Sequence, residues 1–187
     1  MKLKTRLQVK PEQVKEAERL GAKYDGRMKS YYVPEHLPLR PFEAFMTLPI
    51  ELVPSSNWEK NVRSEYQDEW RAIKRKVYQR AGYKCEVCGG KGDAHPVECH
   101  EKWTYDMDTK IQRLECLIAL CTICHKTQHW GYALIHGMEK DVRKRILTLN
   151  GWKDEDLNKY LNEVFDVFEE RSKVSWTLDM TALEHYR

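Results

Sequence analysis

The residues able to do chemistry fall in one short stretch of this sequence. All six cysteines lie between positions 85 and 124, as Cys85-Glu86-Val87-Cys88, Cys121-Thr122-Ile123-Cys124, Cys99 and Cys116. A Cys-x-x-Cys turn delivers two thiolates from one tight knuckle, and two knuckles complete the tetrahedral shell that zinc takes. Gly89 and Gly90 let the chain fold back after the first pair. A closed shell of Cys85, Cys88, Cys121 and Cys124 leaves no position for substrate, so this zinc is read as structural. The competing readings are buried apolar cysteines or a redox pair, but two such pairs with histidines alongside rarely arise by accident.

Between the knuckles lies Val97-Glu98-Cys99-His100-Glu101, and directly after the second comes His125-Lys126-Thr127-Gln128-His129. Spaced i, i+4, His125 and His129 share one face if the segment is helical. A histidine at a strand end, opposite two helix histidines and held by paired knuckles, resembles the HNH endonucleases of the ββα-metal superfamily, over about Arg80 to Tyr132. The wider string from Val97 through Trp103, Tyr105 and Asp106 to Gln112, Leu114 and Leu120-Cys121 resembles a bacterial and phage subset carrying Val-Glu-Cys-His-Glu. So do Asn150-Gly151-Trp152, Arg171-Ser172 and Trp176 to Asp179.

The resemblance implies metal-dependent hydrolysis of phosphodiester bonds in DNA, in a phage, plasmid or defence setting. It makes His100 the general base, with Glu101 beside it as a catalytic candidate. His125 and His129 become ligands of a divalent ion such as Mg²⁺, Mn²⁺, Ni²⁺ or Zn²⁺. The chemistry is consistent, since an imidazole with its ordinary pKa of about 6.5 takes a proton near neutral pH while an ion stabilises charge on the phosphate.

Two departures from the family pattern matter. Cys99 stands where an aspartate or histidine usually binds the ion, and a thiolate favours a softer metal than magnesium. Cys99, Glu98 and Glu101 are therefore three candidates for the remaining ligand, and strand alternation places Glu98 on the side of His100. The family's asparagine before the second knuckle would fall near Cys116, yet no asparagine occurs between Asn61 and Asn150. The rival reading is thus an inactive zinc module that binds DNA or protein as an adaptor. RNA is a further substrate class, because metal-assisted hydrolysis does not distinguish the sugars by itself. His36, His95, His136 and His185 are read as ordinary residues.

These residues need elements to position them. The sequence has 187 residues, 41% hydrophobic and 33% charged, which excludes a disordered chain and a membrane protein. Neither a signal peptide nor an anchor is expected, and clustered reduced cysteines indicate a cytoplasmic protein. A net charge of +3 is weak evidence for a polyanionic partner.

The expected fold class is α+β, in four parts: a small α+β module (1–50), a linker and basic amphipathic helix (51–82), the ββα-metal zinc module (83–135) and a helical C-terminal region (136–187). In the first, a strand starting at Leu7, a helix from Pro11 to Leu20 and a strand Ser30 to Val33 are expected. Leu20-Gly21-Ala22-Lys23-Tyr24-Asp25, Lys29, Tyr31-Tyr32-Val33-Pro34 and Pro41-Phe42 resemble a small domain often attached to plasmid and phage primase-type proteins, which implies an accessory binding role and no catalytic residue.

The second part is expected to be one helix opened near Ser56 and ended by Gly82, with Trp58, Val62, Tyr66, Trp70, Ile73 and Val77 on one face. Arg71, Lys74, Arg75, Lys76 and Arg80 are its candidate phosphate contacts, against the plainer reading of a solvated helix face. Two helices follow, Glu139 to Leu149 and Asp154 to Arg171, the second with Leu157, Leu161, Val164, Phe165 and Phe168 on its apolar stripe. Its acidic remainder argues for packing on the body or a partner protein, and the N-terminal module is the other candidate protein contact.

Overall fold

The computed structural model describes residues 3–186 and is a mixed α and β structure with two small sheets. The N-terminal sheet is antiparallel, in spatial order β1 (Lys4–Leu7), β3 (Ser30–Pro34), β2 (Lys23–Asp25), with α1 (Val14–Arg19) between β1 and β2. The first strand ends at Leu7 rather than beginning there, and β2 adds a strand beyond those expected. Pro11 starts a 3-10 turn ahead of α1, where its missing N–H leaves nothing unpaired.

This sheet does not close a core of its own. Leu7, Ala17, Val33, Phe42 and Phe45 belong to one apolar cluster with Val142, Ile146, Leu157 and Tyr160 from two later helices, α6 (Glu139–Asn150) and α7 (Asp154–Ser172), and with Trp152 from the turn between them. Polar contacts fix the docking: Thr5 Oγ1 donates to Asp156 Oδ1 at 2.6 Å, and Trp152 Nε1 to the Arg6 carbonyl at 2.8 Å. Buried Asn150 clamps the chain at Leu48, accepting its N–H at 3.0 Å and donating to its carbonyl at 3.1 Å. Gly151, at φ +67°, supplies the left-handed residue that ends α6. On α7 the buried stripe is Leu157, Tyr160, Leu161 and Val164, with Phe165 exposed and Phe168 stacked on Trp58.

The single helix expected from Ser56 to Gly82 is instead broken into a 3-10 turn (Ser55–Asn57), α2 (Val62–Glu65) and α3 (Trp70–Arg80). Asn61 is the cause at the first break: its side chain accepts the Ser64 N–H, while its own N–H donates to Ser64 Oγ, a reciprocal cap that starts a new helix. Trp58 lies outside the apolar face, 63% exposed, its indole N–H held by the Val53 carbonyl.

The second sheet is the long antiparallel hairpin β4 (Glu98–Asp106) and β5 (Ile111–Leu120), joined on the β5 side by a short parallel strand, β6 (Thr177–Asp179). The region expected as a purely helical tail thus returns a strand to the hairpin. Ladder partners share a face, so Glu98, His100 and Lys102 stand with Leu120, Ile118 and Cys116, while Cys99 and Glu101 stand with Ala119 and Leu117 on the other side. An irregularity at Lys102/Trp103 skips Glu115 and keeps Leu114 on the Leu117 face, where Trp103 also packs.

Each hairpin face is buried. Leu120 and Ile118 pack into the large cluster with the cysteines, α6 and α7. Ala119, Leu117, Leu114, Cys99 and Trp103 pack with Ile73 and Val77 of α3 and with Leu183 and Tyr186. Two short helices complete the first face, α4 (Thr122–Gln128) and α5 (Trp130–Ile135). No helix among the described residues is long and apolar enough to cross a membrane.

The segment expected as a linker is tied down along its length. Ile50 N–H donates to Tyr160 Oη, Glu51 N–H to Gln128 Oε1, and Gln128 Nε2 to the Pro49 carbonyl. The Glu51 carboxylate in turn accepts the Trp103 N–H at 3.2 Å. Burial pushes the Glu51 carboxyl up to about 7, against the opposing pull of that N–H and of Arg171. A carboxyl raised on folding favours the folded state below its unfolded pKa, and the advantage is lost as pH rises through about 7. Glu51→Gln, which keeps the acceptor oxygen, is expected to match wild type near pH 4 and to exceed it by about 3 kcal/mol at pH 8. Urea denaturation of both proteins at the two pH values checks this, and equal differences at both would refute it.

Candidate metal centre

The two Cys-x-x-Cys turns come together at the open end of the hairpin. The first is shaped by Gly89 at φ +71°, with Gly89 N–H donating to the Cys85 carbonyl and Cys85 N–H to the Gly90 carbonyl, both at 2.8 Å. It is docked on β5 through Glu86, whose N–H donates to the Ala119 carbonyl at 2.8 Å and whose carboxylate accepts the Ala119 N–H at 2.6 Å. The second turn is the start of α4, with Cys121 at its N-cap and His125 N–H donating to the Cys121 carbonyl.

Cys85, Cys88, Cys121 and Cys124 present sulfur atoms within 4.8 Å of one another. Cys88 Sγ and Cys121 Sγ are 3.7 Å apart. A tetrahedron with metal–sulfur bonds of about 2.3 Å has edges of about 3.8 Å, so the four sulfurs fit a zinc ion. The thiols are otherwise ill-matched neighbours: the hydrogen bond with Cys124 holds the Cys85 thiol down to about 4, and the same contact pushes the Cys124 thiol up. A cation that accepts all four as thiolates removes that conflict.

A second cluster lies on the adjoining hairpin face. His100 from β4, and His125 and His129 from α4 and its end, bring ring nitrogens within 4.8 Å of one another. Nε2 of His125 is 3.0 Å from Nε2 of His129, and the His100 ring centroid lies 5.1 and 5.5 Å from theirs. At His129 the backbone leaves the helical region, at φ −107° and ψ 54°, which separates α4 from α5.

Glu98 fixes the orientation of this cluster. One carboxylate oxygen pairs with His125 Nδ1 and the other accepts the Thr122 hydroxyl at 2.9 Å, leaving His125 Nε2 directed at His129. A carboxylate behind a ligating imidazole is the usual support of a metal-binding histidine. Burial pushes the Glu98 carboxyl up, but the His125 and Thr122 hydrogen bonds outweigh it and hold it low.

Desolvation of the rings disfavours the protonated imidazoles, although His129 as a residue is exposed. This desolvation lowers His125 against the pull of Glu98, takes His129 down to about 4, and holds His100 well below the ordinary imidazole range. His100 is 5% exposed, and its Nδ1 is buried without a hydrogen-bond partner. A buried unpaired polar atom costs about 1–3 kcal/mol, which an ion or a bound oxygen species would recover.

The other sequence candidates are placed elsewhere. Cys99 and Glu101 stand on the opposite face of β4; Cys99 is in the second core, and burial pushes its thiol up to about 12. Neither joins the imidazoles, because neighbouring strand residues point to opposite sides. Glu98, by the same rule, does.

Helix α3 packs on the Cys99 side, so the hairpin stands between its basic surface and the three histidines. Arg71, Arg75 and Lys76 are exposed, and Arg71 and half-buried Lys74 line a shallow groove with Arg63 and Trp70. Arg80 is committed internally: it donates to both Glu86 oxygens, to the Leu117 carbonyl at 2.7 Å and to Tyr186 Oη at 3.1 Å. With Glu86 it braces the end of β5.

Thr122 was not singled out in the sequence, although its place directly after Cys121 puts it in the first turn of α4, within reach of β4. No family model matches the chain, and no curated protein and no solved structure matches it.

Cys121→Ser is expected to cost the protein one tightly held zinc and to destabilise it strongly, whereas Cys99→Ala keeps the zinc. Metal analysis of the purified variants and the sulfur-to-cobalt absorption of Co²⁺-substituted protein check both expectations.

Proposed function

We propose that the chain is a metal-dependent phosphodiesterase of HNH type that cleaves DNA, with the knuckles, the hairpin and α4 serving as a ββα-metal unit. The observation that carries this reading is the convergence of three imidazoles, buried His100, half-buried His125 and exposed His129, beside a four-cysteine site, with one ring nitrogen of His100 buried and unpaired. The four cysteines serve as scaffold. His125 and His129 serve as the ligands of a divalent ion, with Glu98 orienting His125.

When bound, the ion supplies positive charge to the scissile phosphate and to the leaving oxygen. His100 does the proton work. Kept unprotonated by burial, it accepts the proton of the attacking water, and its place on a paired strand holds the ring in a fixed position.

Purified protein incubated with supercoiled plasmid under Mg²⁺, Mn²⁺, Ni²⁺ or Zn²⁺ is expected to nick or linearise it, and structured RNA in parallel reports on substrate class. His100→Ala should reduce the rate by about 10²- to 10⁴-fold while the structural zinc is retained. Glu98→Ala should weaken binding of the second ion by about 10- to 100-fold, measured by titration calorimetry. Cutting that is unchanged in His100→Ala overturns the mechanism. DNA binding without cutting under any ion would favour the adaptor reading instead.

A further inference from the structure

Two lysines flank the imidazole cluster from opposite elements. Lys102 follows His100 on the same face of β4, and Lys126 directly follows His125 on α4. Both are half-buried, and neither forms an ion pair among the described residues. Glu98, the carboxylate paired with His125, is already occupied by His125 and Thr122, while the buried Glu51 carboxyl lies within reach of the Lys102 charge.

Lys126 is also held in place. Its Nζ lies 4.2 Å from the ring centroid of Tyr132, which is 47% exposed on α5, and the His136 ring rests 4.0 Å from the same centroid. A surface lysine ordinarily samples many rotamers, so pinning the ammonium on an aromatic face lowers the entropy lost when it meets an anion. The result is a fixed cation on α4 and a second on the hairpin face that carries His100. That charge arrangement suits an anion extended across the cluster, and it provides what the basic surface of α3, on the far side of the hairpin, does not.

We infer that Lys102 and Lys126, the latter seated on Tyr132, are the two positioning residues that grip the phosphodiester backbone of a nucleic-acid strand on either side of His100, His125 and His129. This rests on the phosphodiesterase reading for the identity of the ligand. The lysines hold non-bridging phosphate oxygens by charge and hydrogen bonding; no bond is made or broken by them.

The test is fluorescence anisotropy of the zinc-loaded full chain with a labelled 20-base-pair DNA duplex across a salt series, with a labelled RNA hairpin as a second arm. Lys102→Ala and Lys126→Ala are each expected to weaken binding by about 3- to 10-fold and to lower the slope of log K against log salt by about one. Lys126→Arg should restore binding, since a guanidinium also stacks on a tyrosine. Tyr132→Ala should reproduce part of the Lys126→Ala loss, whereas Tyr132→Phe should not. Unchanged zinc content and circular dichroism show that each variant is folded.

Affinity and slope unaltered in both lysine variants overturn the inference, as does loss seen only in Arg75→Ala, which would put the strand on the α3 side. Failure of wild type to bind either nucleic acid overturns it too. Lysine-dependent binding without any cleavage would leave the grip standing and remove the hydrolysis. Cleavage that needs His100 but not the lysines would do the reverse.

Discussion

Adjacent residues of a strand point to opposite sides, and in this protein both sides of one hairpin are buried. That constraint organises nearly everything else. Through β4 the sequence must alternate between two environments at each step: Glu98 and His100 toward α4, Cys99 and Glu101 toward α3. A shift of register by one residue would carry the imidazole into an apolar core and the Cys99 thiol into the metal cluster. Register is therefore held from several directions, by the β5 ladder, by Glu51 on the Trp103 N–H, and by Glu86 on the Ala119 N–H.

The two clusters of residues that could hold a metal ion sit at different places on this geometry. Cysteines at the open end of the hairpin bring together two chain segments more than thirty residues apart in sequence, Cys85–Cys88 and Cys121–Cys124, the second of which opens α4. The start of α4 then fixes His125 over His100. Arg80 reinforces the same junction from the opposite face, bridging Glu86, Leu117 and Tyr186. A side chain with five donors and a planar head suits that task, and using it there withdraws it from the phosphate surface that its neighbours on α3 still present.

Much of this was legible in the sequence where spacing alone determines geometry. The two Cys-x-x-Cys turns, the i, i+4 histidines and the alternation that puts Glu98 with His100 all follow from local chain periodicities. The helices 139–150 and 154–172 were legible for the same reason, with Gly151 marking the break. What local pattern could not give was set by distant partners. Asn61 and Ser64 cap each other and interrupt an otherwise even apolar stripe, and Trp58 leaves that stripe for Phe168 on α7. Residues 1–50 read as a separate unit because their own strand and helix signals are complete, yet their apolar side chains are shared with α6 and α7. The basic run of α3 likewise gave no sign of which hairpin face would receive the helix.

The division of the cysteines between the two hairpin faces also sorts their reactivity. With an ion in the four-sulfur shell, those thiolates are screened from electrophiles, and Cys99 is sealed in the second core with its thiol pushed up to about 12. Cys116, only half-buried opposite Lys102, is left as the thiol an alkylating reagent or an oxidant can reach. The protein thus presents six thiols on paper and one in practice, and that one sits on the strand face that carries His100.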